Sequence, residues 1–222
     1  MAESRTPYPV ATPGTASRWW HWAVTVICLG GCVCLFLALV AMLRCEMART
    51  VIDDAYIAYR YAENLALGNG VVFNVGERVE GYTDFLWVVA IALLMRLHVD
   101  PVLASQALGT VCALYLLLAS HKLATLVVPD KTCALLPPLL IASTPFCAYL
   151  AIWGLETIPF MAWIALAVLC YLRGGRQNGY LWLASLFFAL AALTRPEGVL
   201  FFVATCVHAI VTGRLRKQKH SP

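Results

Sequence analysis

Charge is what this sequence has least of. Asp, Glu, Lys and Arg together make 13% of its 222 residues, about half of what soluble globular domains carry. The scarcity argues against a nucleic-acid surface: the one basic cluster, Arg214 to Lys219, has no folded basic face beside it. Metal spacings and a disulfide framework are missing as well. Of the nine cysteines, Cys28, Cys32, Cys34, Cys112, Cys147, Cys170 and Cys206 fall inside apolar runs, where they act as small hydrophobes. Cys133 lies at the edge of a run and Cys45 in a polar stretch, and no spacing fits zinc. There is no phosphate-binding loop, Rossmann glycine signature or internal repeat, so nothing here points to a nucleotide cofactor.

What is there instead is apolar sequence. Hydrophobic residues make up 61% of the chain, and the mean hydropathy is +0.77. A membrane-crossing helix needs about 20 apolar residues, and residues 19–43 supply them, opening on Trp19, Trp20 and Trp22 as an interfacial belt. The run is too long for a signal-peptide core, and although Leu29-Gly30-Gly31-Cys32 resembles a lipoprotein cleavage box, apolar residues continue to Leu43, which favours an uncleaved anchor. Gly30-Gly31 is expected to let a neighbouring helix approach closely. Further apolar runs cover 102–128, 133–153, 158–172, 180–193 and 199–212. The last three are short for a span and imply tilt, a locally thinned bilayer or a water-filled vestibule. Pro137-Pro138 and Pro145 are expected to kink the third run, and His121 and Lys122 to snorkel toward headgroups.

The expected fold is an all-α polytopic transmembrane bundle of about six spans, with an outer-face loop carrying interfacial helices. The expected organisation is a disordered cytoplasmic segment 1–18, a first span 19–43, an outer loop 44–101, a bundle 102–213 and a basic cytoplasmic tail 214–222. Residues 85–97 are read as lying in the outer interface, because six spans then place ten of the sixteen Lys and Arg inside, as the positive-inside rule requires. The same arrangement puts ten of the twelve Asp and Glu outside. Acids contribute little to topology, so this bias suggests a polar site on the outer face.

The chemically informative stretch runs from Asp53 to Trp87. Asp54 is expected to cap a helix from Ala55 to Leu67, with Gly68 as its stop. Ile57, Tyr61 and Leu65 would form its inner face, while Tyr56, Arg60, Glu63 and Asn64 project elsewhere. Gly68-Asn69-Gly70 turns the chain into a short extended piece, 71–74, followed by a tight loop with Glu77, Glu80, Tyr82 and Thr83. Asp53 or Asp54 could serve as a base. Arg60 could hold a phosphate with its guanidinium fork, and a divalent cation on oxygen ligands is a further way to balance phosphate charge. The plainer alternative is a capped surface helix with solvated charges. For Arg195-Pro196-Glu197 the plain alternative is a span-end cap with a local ion pair.

The stretch from Asp53 to Trp87 follows the pattern DDAxIxxRYAxNLxxGxGxVFNxGExVEGYTxxLW. It resembles the first outer loop of the GT-C membrane glycosyltransferases, and is most similar to the branch of actinobacterial terminal arabinofuranosyltransferases. Gly154-Leu155-Glu156-Thr157 and Thr194-Arg195-Pro196-Glu197-Gly198 match that branch too. The resemblance implies a transferase moving a sugar, arabinofuranose among the candidates, from a polyprenyl-phosphate donor to a cell-envelope glycan or glycoprotein. It implies a multi-pass protein of the bacterial plasma (inner) membrane with its active site facing outward. Asp53, with Asp54 beside it, matches the catalytic carboxylate, and Glu156 matches a second acidic position. Arg60, Asn64, Glu77, Glu80, Tyr82, Thr83, Glu156, Arg195 and Glu197 are then candidates for donor or acceptor binding. Asp53 and Glu156 are the candidates for holding a divalent metal, should one be used. Members of that branch are longer, so the chain is expected to correspond to an amino-terminal part, and a fragment or a non-catalytic subunit completed by a second chain is the alternative. A transporter would require ionisable residues within the spans, which are nearly free of them here.

Overall fold

The computed structural model of the chain describes residues 15–46, 51–77, 79–174 and 179–212. The amino-terminal segment 1–14, Arg78 and the basic tail lie outside the described residues. Nine α-helices and one 3-10 turn occur among the described residues, with no strand. They are α1 Thr15–Glu46, α2 Asp53–Ala66, α3 Phe85–Arg96, α4 Pro101–Val127, α5 Leu136–Ser143, α6 Pro145–Ile152, α7 Thr157–Arg173, α8 Gly179–Thr194 and α9 Gly198–Val211. The chain is a helical membrane bundle. By length and composition α1 and α4 can cross a membrane, as can the bent pair of α5 and α6 if it counts as one span. The remaining expected spans, α7, α8 and α9, are apolar helices of 17, 16 and 14 residues, and α3 is shorter still.

The first helix buries a narrow stripe and exposes the rest, the inverse of a soluble core helix, whereas α4 is buried on more than one face. On α1 the stripe is Cys32, Phe36 and Val40, four residues apart and almost fully buried, while Trp20, Trp22 and Ile27 stand outward. The stripe packs on Ala113 and Leu117 of α4 and on Ala142, Ala148, Ala151 and Ile152 of the bent pair. Small residues make this possible. An added Cβ at Gly109 of α4 would run into the backbone carbonyl of Ala151 in α6, so the two helices pass at backbone distance. Gly30 and Gly31, by contrast, have open space around them: the close approach expected there is made at Gly109 instead.

Local sequence sets the breaks. Asp100 caps α4, its Oδ1 accepting from the amides of Val102 and Leu103 at 3.0 and 3.1 Å, with Pro101 at the first helical position. Between α5 and α6 the chain bends by 58°. Thr144 is extended there because the ring of Pro145 disfavours a helical residue before it. Pro137 and Pro138 produce no such break; they sit in the first turn of α5, where a missing amide hydrogen is harmless. His121 does not snorkel. It is buried, with its Nδ1 3.1 Å from the carbonyl oxygen of Ala134, and only Lys122 is exposed. Cys45 lies within the last turn of α1 rather than in a loop.

Tracing the bundle from α4 onward, the helices alternate direction. The α6–α7 turn, the α8–α9 turn and the starts of α2 and α3 gather at one end. The α4–α5 connection and the pairing of Tyr171 with His208, whose hydroxyl and Nδ1 lie 2.6 Å apart, mark the other. The α2 and α3 helices run side by side in the same direction: Arg96 Nε donates to the carbonyl of Ala66 at 3.3 Å where both end.

Gly109→Ala is expected to destabilise the bundle by about 2 kcal/mol, typical of forcing volume into a filled contact, whereas Gly30→Ala and Gly31→Ala stay within about 0.5 kcal/mol. Thermal unfolding in detergent distinguishes them, and equal midpoints for all three would contradict the close α4–α6 crossing.

Candidate functional site

The site is built around one glycine. Gly154, in the turn from α6 to α7, has φ +89°, a conformation open to glycine and costly for other residues. A Cβ there would lie 2.5 Å from Tyr59 Oη and 2.9 Å from the Cβ of Ala55, so α2 rests directly on the turn. The indole Nε1 of Trp87 in α3 donates to the Gly154 carbonyl at 3.0 Å, and the amide of Ile52 donates to the carbonyl of Trp153 at 3.3 Å. Tyr59 continues inward to Ser105 of α4, their hydroxyl oxygens 2.6 Å apart. Burial pushes the Tyr59 phenol up to about 12, so it stays neutral as a structural hydrogen-bonding group. Together α3, α4 and the α6–α7 turn thereby fix the start of α2, which carries Asp53 and Asp54, next to the turn that ends at Glu156.

Glu156 precedes α7 and is 7% exposed. Its Oε1 accepts from Arg195 Nε at 2.6 Å, joining segments 39 residues apart at the ends of two different hairpins. The guanidinium is more open than its partner, with 35% of the side chain exposed against 10%. A third charge completes the group. Asp84 immediately precedes α3, one turn before Trp87. Burial first, and then the Glu156 carboxylate, push its carboxyl up to about 6, against the pull of its own backbone amide and of Arg195. Asp84 thus lies within electrostatic range of Glu156 and Arg195, so each of the three motif segments contributes a charge at this end of the bundle. Sequence reasoning passed over Asp84 because the motif pattern leaves its position unspecified; the available signal was an acid directly ahead of an apolar helix.

Much of the remaining motif serves to build its own loop. Asn64 is buried, not projecting outward: its Nδ2 donates to the carbonyls of Val72 and Phe73 at 2.8 and 2.9 Å, and its Oδ1 accepts from Asn69 at 3.2 Å. Arg60 Nε donates to the Phe73 carbonyl at 3.1 Å and its Nη1 to Glu63 at 2.7 Å. The Tyr61 hydroxyl donates to the Val79 carbonyl and accepts from the Gly81 amide, both at 2.9 Å. Tyr82 packs on the Tyr61 ring, centroids 4.8 Å apart. Glu77 accepts from Asn74 at 3.1 Å, and Glu77, Glu80 and Thr83 are exposed on the loop surface. The piece 71–74 consists of bends rather than an extended run.

Three further expectations change. Asp54 does not cap α2: the helix begins at Asp53, Ile52 holds the cap position, and no side chain bonds there. Both aspartates are exposed in a first turn, where negative charge suits the helix dipole. Ile57 faces out, its place on the inner face taken by Ala55, Ala58, Tyr59 and Ala62. Arg195 pairs with Glu156, and Glu197, exposed ahead of α9, is not its partner. The structure also bears on the two residues named for a divalent cation. Among the described residues no three His, Cys, Asp or Glu side chains are grouped to hold one, and Glu156, one of the two candidates for a cation, already accepts from Arg195.

The chain is 26% identical over 186 residues to a terminal beta-(1->2)-arabinofuranosyltransferase of Mycobacterium tuberculosis, an alignment covering 77% of this chain and 30% of that protein. It is 52% identical over 42 residues to a protein of the same name from Corynebacterium glutamicum, covering 19% of this chain and 6% of that protein. The chain therefore spans under a third of the length of the curated relatives it matches, consistent with likeness to an amino-terminal part of that branch. No family model matches it, and no solved structure does.

Asp84 also yields a stability prediction. Its folded value of about 6 lies above the usual 3.8, so ionising it costs the folded state free energy. That cost is complete above pH 6 and fades as the pH falls toward 4. Asp84→Asn is expected to raise the melting temperature at pH 8 by roughly 3 °C and to leave it unchanged at pH 4; a variant that melts with the parent at both pH values would rule out the strained carboxylate.

Proposed function

We propose that this chain forms part of a membrane glycosyltransferase that moves a sugar, arabinofuranose by analogy with the names of its relatives, from a polyprenyl-phosphate donor to a cell-envelope glycan or glycoprotein on the outer face of the membrane. The observation that carries the reading is the 2.6 Å contact of Arg195 with Glu156, which draws the second and third motif segments to the Gly154 turn on which the first is seated.

In this reading Asp53, exposed in the first turn of α2, takes the proton from the acceptor hydroxyl as its oxygen bonds to the anomeric carbon. The bond from that carbon to the phosphate oxygen breaks, and its electron pair leaves with the phosphate, so the products are the glycoside and polyprenyl phosphate. Asp54 supplies negative charge beside an anomeric carbon that becomes cationic as the bond breaks. Arg195 supplies the positive charge that the departing phosphate needs, through the guanidinium edge that Glu156 does not use. Glu77, Glu80, Tyr82, Thr83 and Glu197 line the approach for donor and acceptor, and Arg60 and Asn64 hold the loop that presents them.

Asp53→Ala is expected to lower sugar transfer by at least about 10²-fold, with membrane insertion unchanged, in membranes carrying the chain and supplied with radiolabelled polyprenyl-phosphate pentose and an envelope-glycan acceptor. An undiminished rate would remove Asp53 from the role of base. Sidedness has its own test. Variants keeping only Cys45 or only Cys133, both exposed, should react with an impermeant thiol reagent from outside and from the cytoplasmic side respectively, and labelling of both from one side would refute the topology.

A further inference from the structure

Beside the turn that seats α2 stand two aromatic rings with no role in the chemistry above. Tyr149 of α6 and Trp153, which holds the cap position at the end of that helix, lie one helical turn apart. Their ring centroids are 4.5 Å apart and their planes are inclined at 45°. The inward face of α6 is made by Ala148, Ala151 and Ile152; both rings lie off that face and are partly buried. The backbone ties Trp153 to the start of α2. Its carbonyl accepts from the amide of Ile52 at 3.3 Å, and Asp53 is the next residue. Gly154, which follows Trp153, is where Ala55 and Tyr59 close on the turn. The ring of Trp153 is therefore mounted on the same junction that positions Asp53.

Two observations separate this pair from an interfacial belt. Belt tryptophans stand out into the membrane interface. On α1 and α8 Trp20, Trp22 and Trp182 do so, at 69%, 68% and 80% exposed, whereas Tyr149 and Trp153 are held partly buried against each other. The second observation is polar. The indole Nε1 of Trp87 is taken by the Gly154 carbonyl, but neither the Nε1 of Trp153 nor the hydroxyl of Tyr149 has a hydrogen-bond partner among the described residues. Aromatic faces are negative, and a tyrosine or tryptophan adds a polar handle at its rim. A ligand matched to both offers polarised C–H groups to the ring faces and hydroxyls to the handles. An acyl chain meets only the first demand and a simple ion only the second. A sugar ring meets both, with C–H bonds on one face and hydroxyls around its edge.

Building on the acceptor chemistry given above, we propose that Tyr149 and Trp153 form a carbohydrate subsite that stacks a sugar ring of the acceptor glycan and so positions its reacting hydroxyl for Asp53. Order along the turn favours the acceptor over the donor. Trp153 is joined through Ile52 to the start of α2, and Glu156, three residues on, is joined to Arg195. The acceptor is thus held at the end of the turn that carries the base, and the donor phosphate at the end that carries the guanidinium. Trp153 and Tyr149 are positioning residues: they grip the glycan beside the reacting atoms.

The test places the full chain, labelled with fluorotryptophan, in lipid nanodiscs and follows it by fluorine NMR. The probe is an arabinofuranose tetrasaccharide carrying neither lipid nor phosphate. The Trp153 signal, assigned by its absence from Trp153→Phe, is expected to move on titration while those of Trp20, Trp22 and Trp182 stay fixed. Tyr149→Ala should weaken the affinity read from that signal by about tenfold, the order of one lost ring contact. Tyr149→Phe, which keeps the ring, should stay within about threefold of the parent, and Trp182→Ala should leave the affinity unchanged. A Trp153 signal that ignores the glycan, whether or not the glycan binds elsewhere, overturns the proposal. So does one broadened by a spin-labelled acyl chain as strongly as the Trp182 signal, which would mark an interfacial anchor. Neither of these outcomes touches Asp53, whose role is decided by transfer in Asp53→Ala. A Trp153 signal that moves, together with undiminished transfer in Asp53→Ala, supports the glycan subsite and removes only the base.

Discussion

The arrangement depends on a backbone turn that only glycine can make. At Gly154 the chain leaves one helix and enters another while Tyr59, Ala55 and Trp87 close on it. The absence of a side chain is what lets α2 and α3, neither long enough to be held by a bilayer alone, dock on the bundle. The exposed aspartates owe their position to this contact. They make no bonds of their own at the start of α2, so their place is set entirely by the apolar and hydrogen-bonded face behind them.

Burial and charge are divided accordingly. Away from the site the bundle is held by small residues and narrow apolar stripes, and large side chains such as Trp182 and Phe202 turn outward, as befits a surrounding medium as apolar as the interior. At the site end Tyr59 is paired with Ser105, Asn64 with its loop and Glu156 with Arg195, while Asp84 has no such side-chain bond at the start of α3. No buried side-chain nitrogen or oxygen lacks a partner among the described residues. The motif residues therefore divide into those that bond inward and shape the loop and those left open at its surface.

The apolar runs after residue 84 match helical segments to within a residue or two, though the run 133–153 is broken before Pro145, and α1 extends several residues beyond the run 19–43 at both ends. Alternation of direction, read from where Lys and Arg fall, predicts that the three motif segments share one end, and in the structure they do. Several features were out of reach. Asn64 looked like a surface residue because helical periodicity cannot see a loop folding back over it. Ile57 looked like core because its spacing to Tyr61 is helical, whereas the face that docks is the alanine-rich one. Arg195 has an acid two residues away in sequence, and nothing local says that its partner is Glu156. Asp84 stayed hidden for the same reason: its character comes from burial and from a carboxylate in the turn before α7.

The bend before Pro145 has a consequence for depth. An eight-residue helix rises about 12 Å, but α6 leaves the direction of α5 by 58°, so it advances only about half that distance along the path a straight helix would follow. The turn it delivers is recessed by about 6 Å from the level an unbroken span would reach. A lipid headgroup has its phosphate near the boundary of the acyl chains, while a sugar attached to it extends toward water. On the donor reading proposed above, recession would let the guanidinium meet a phosphate whose lipid tail stays in the leaflet, with no need to lift the substrate out of its own solvent.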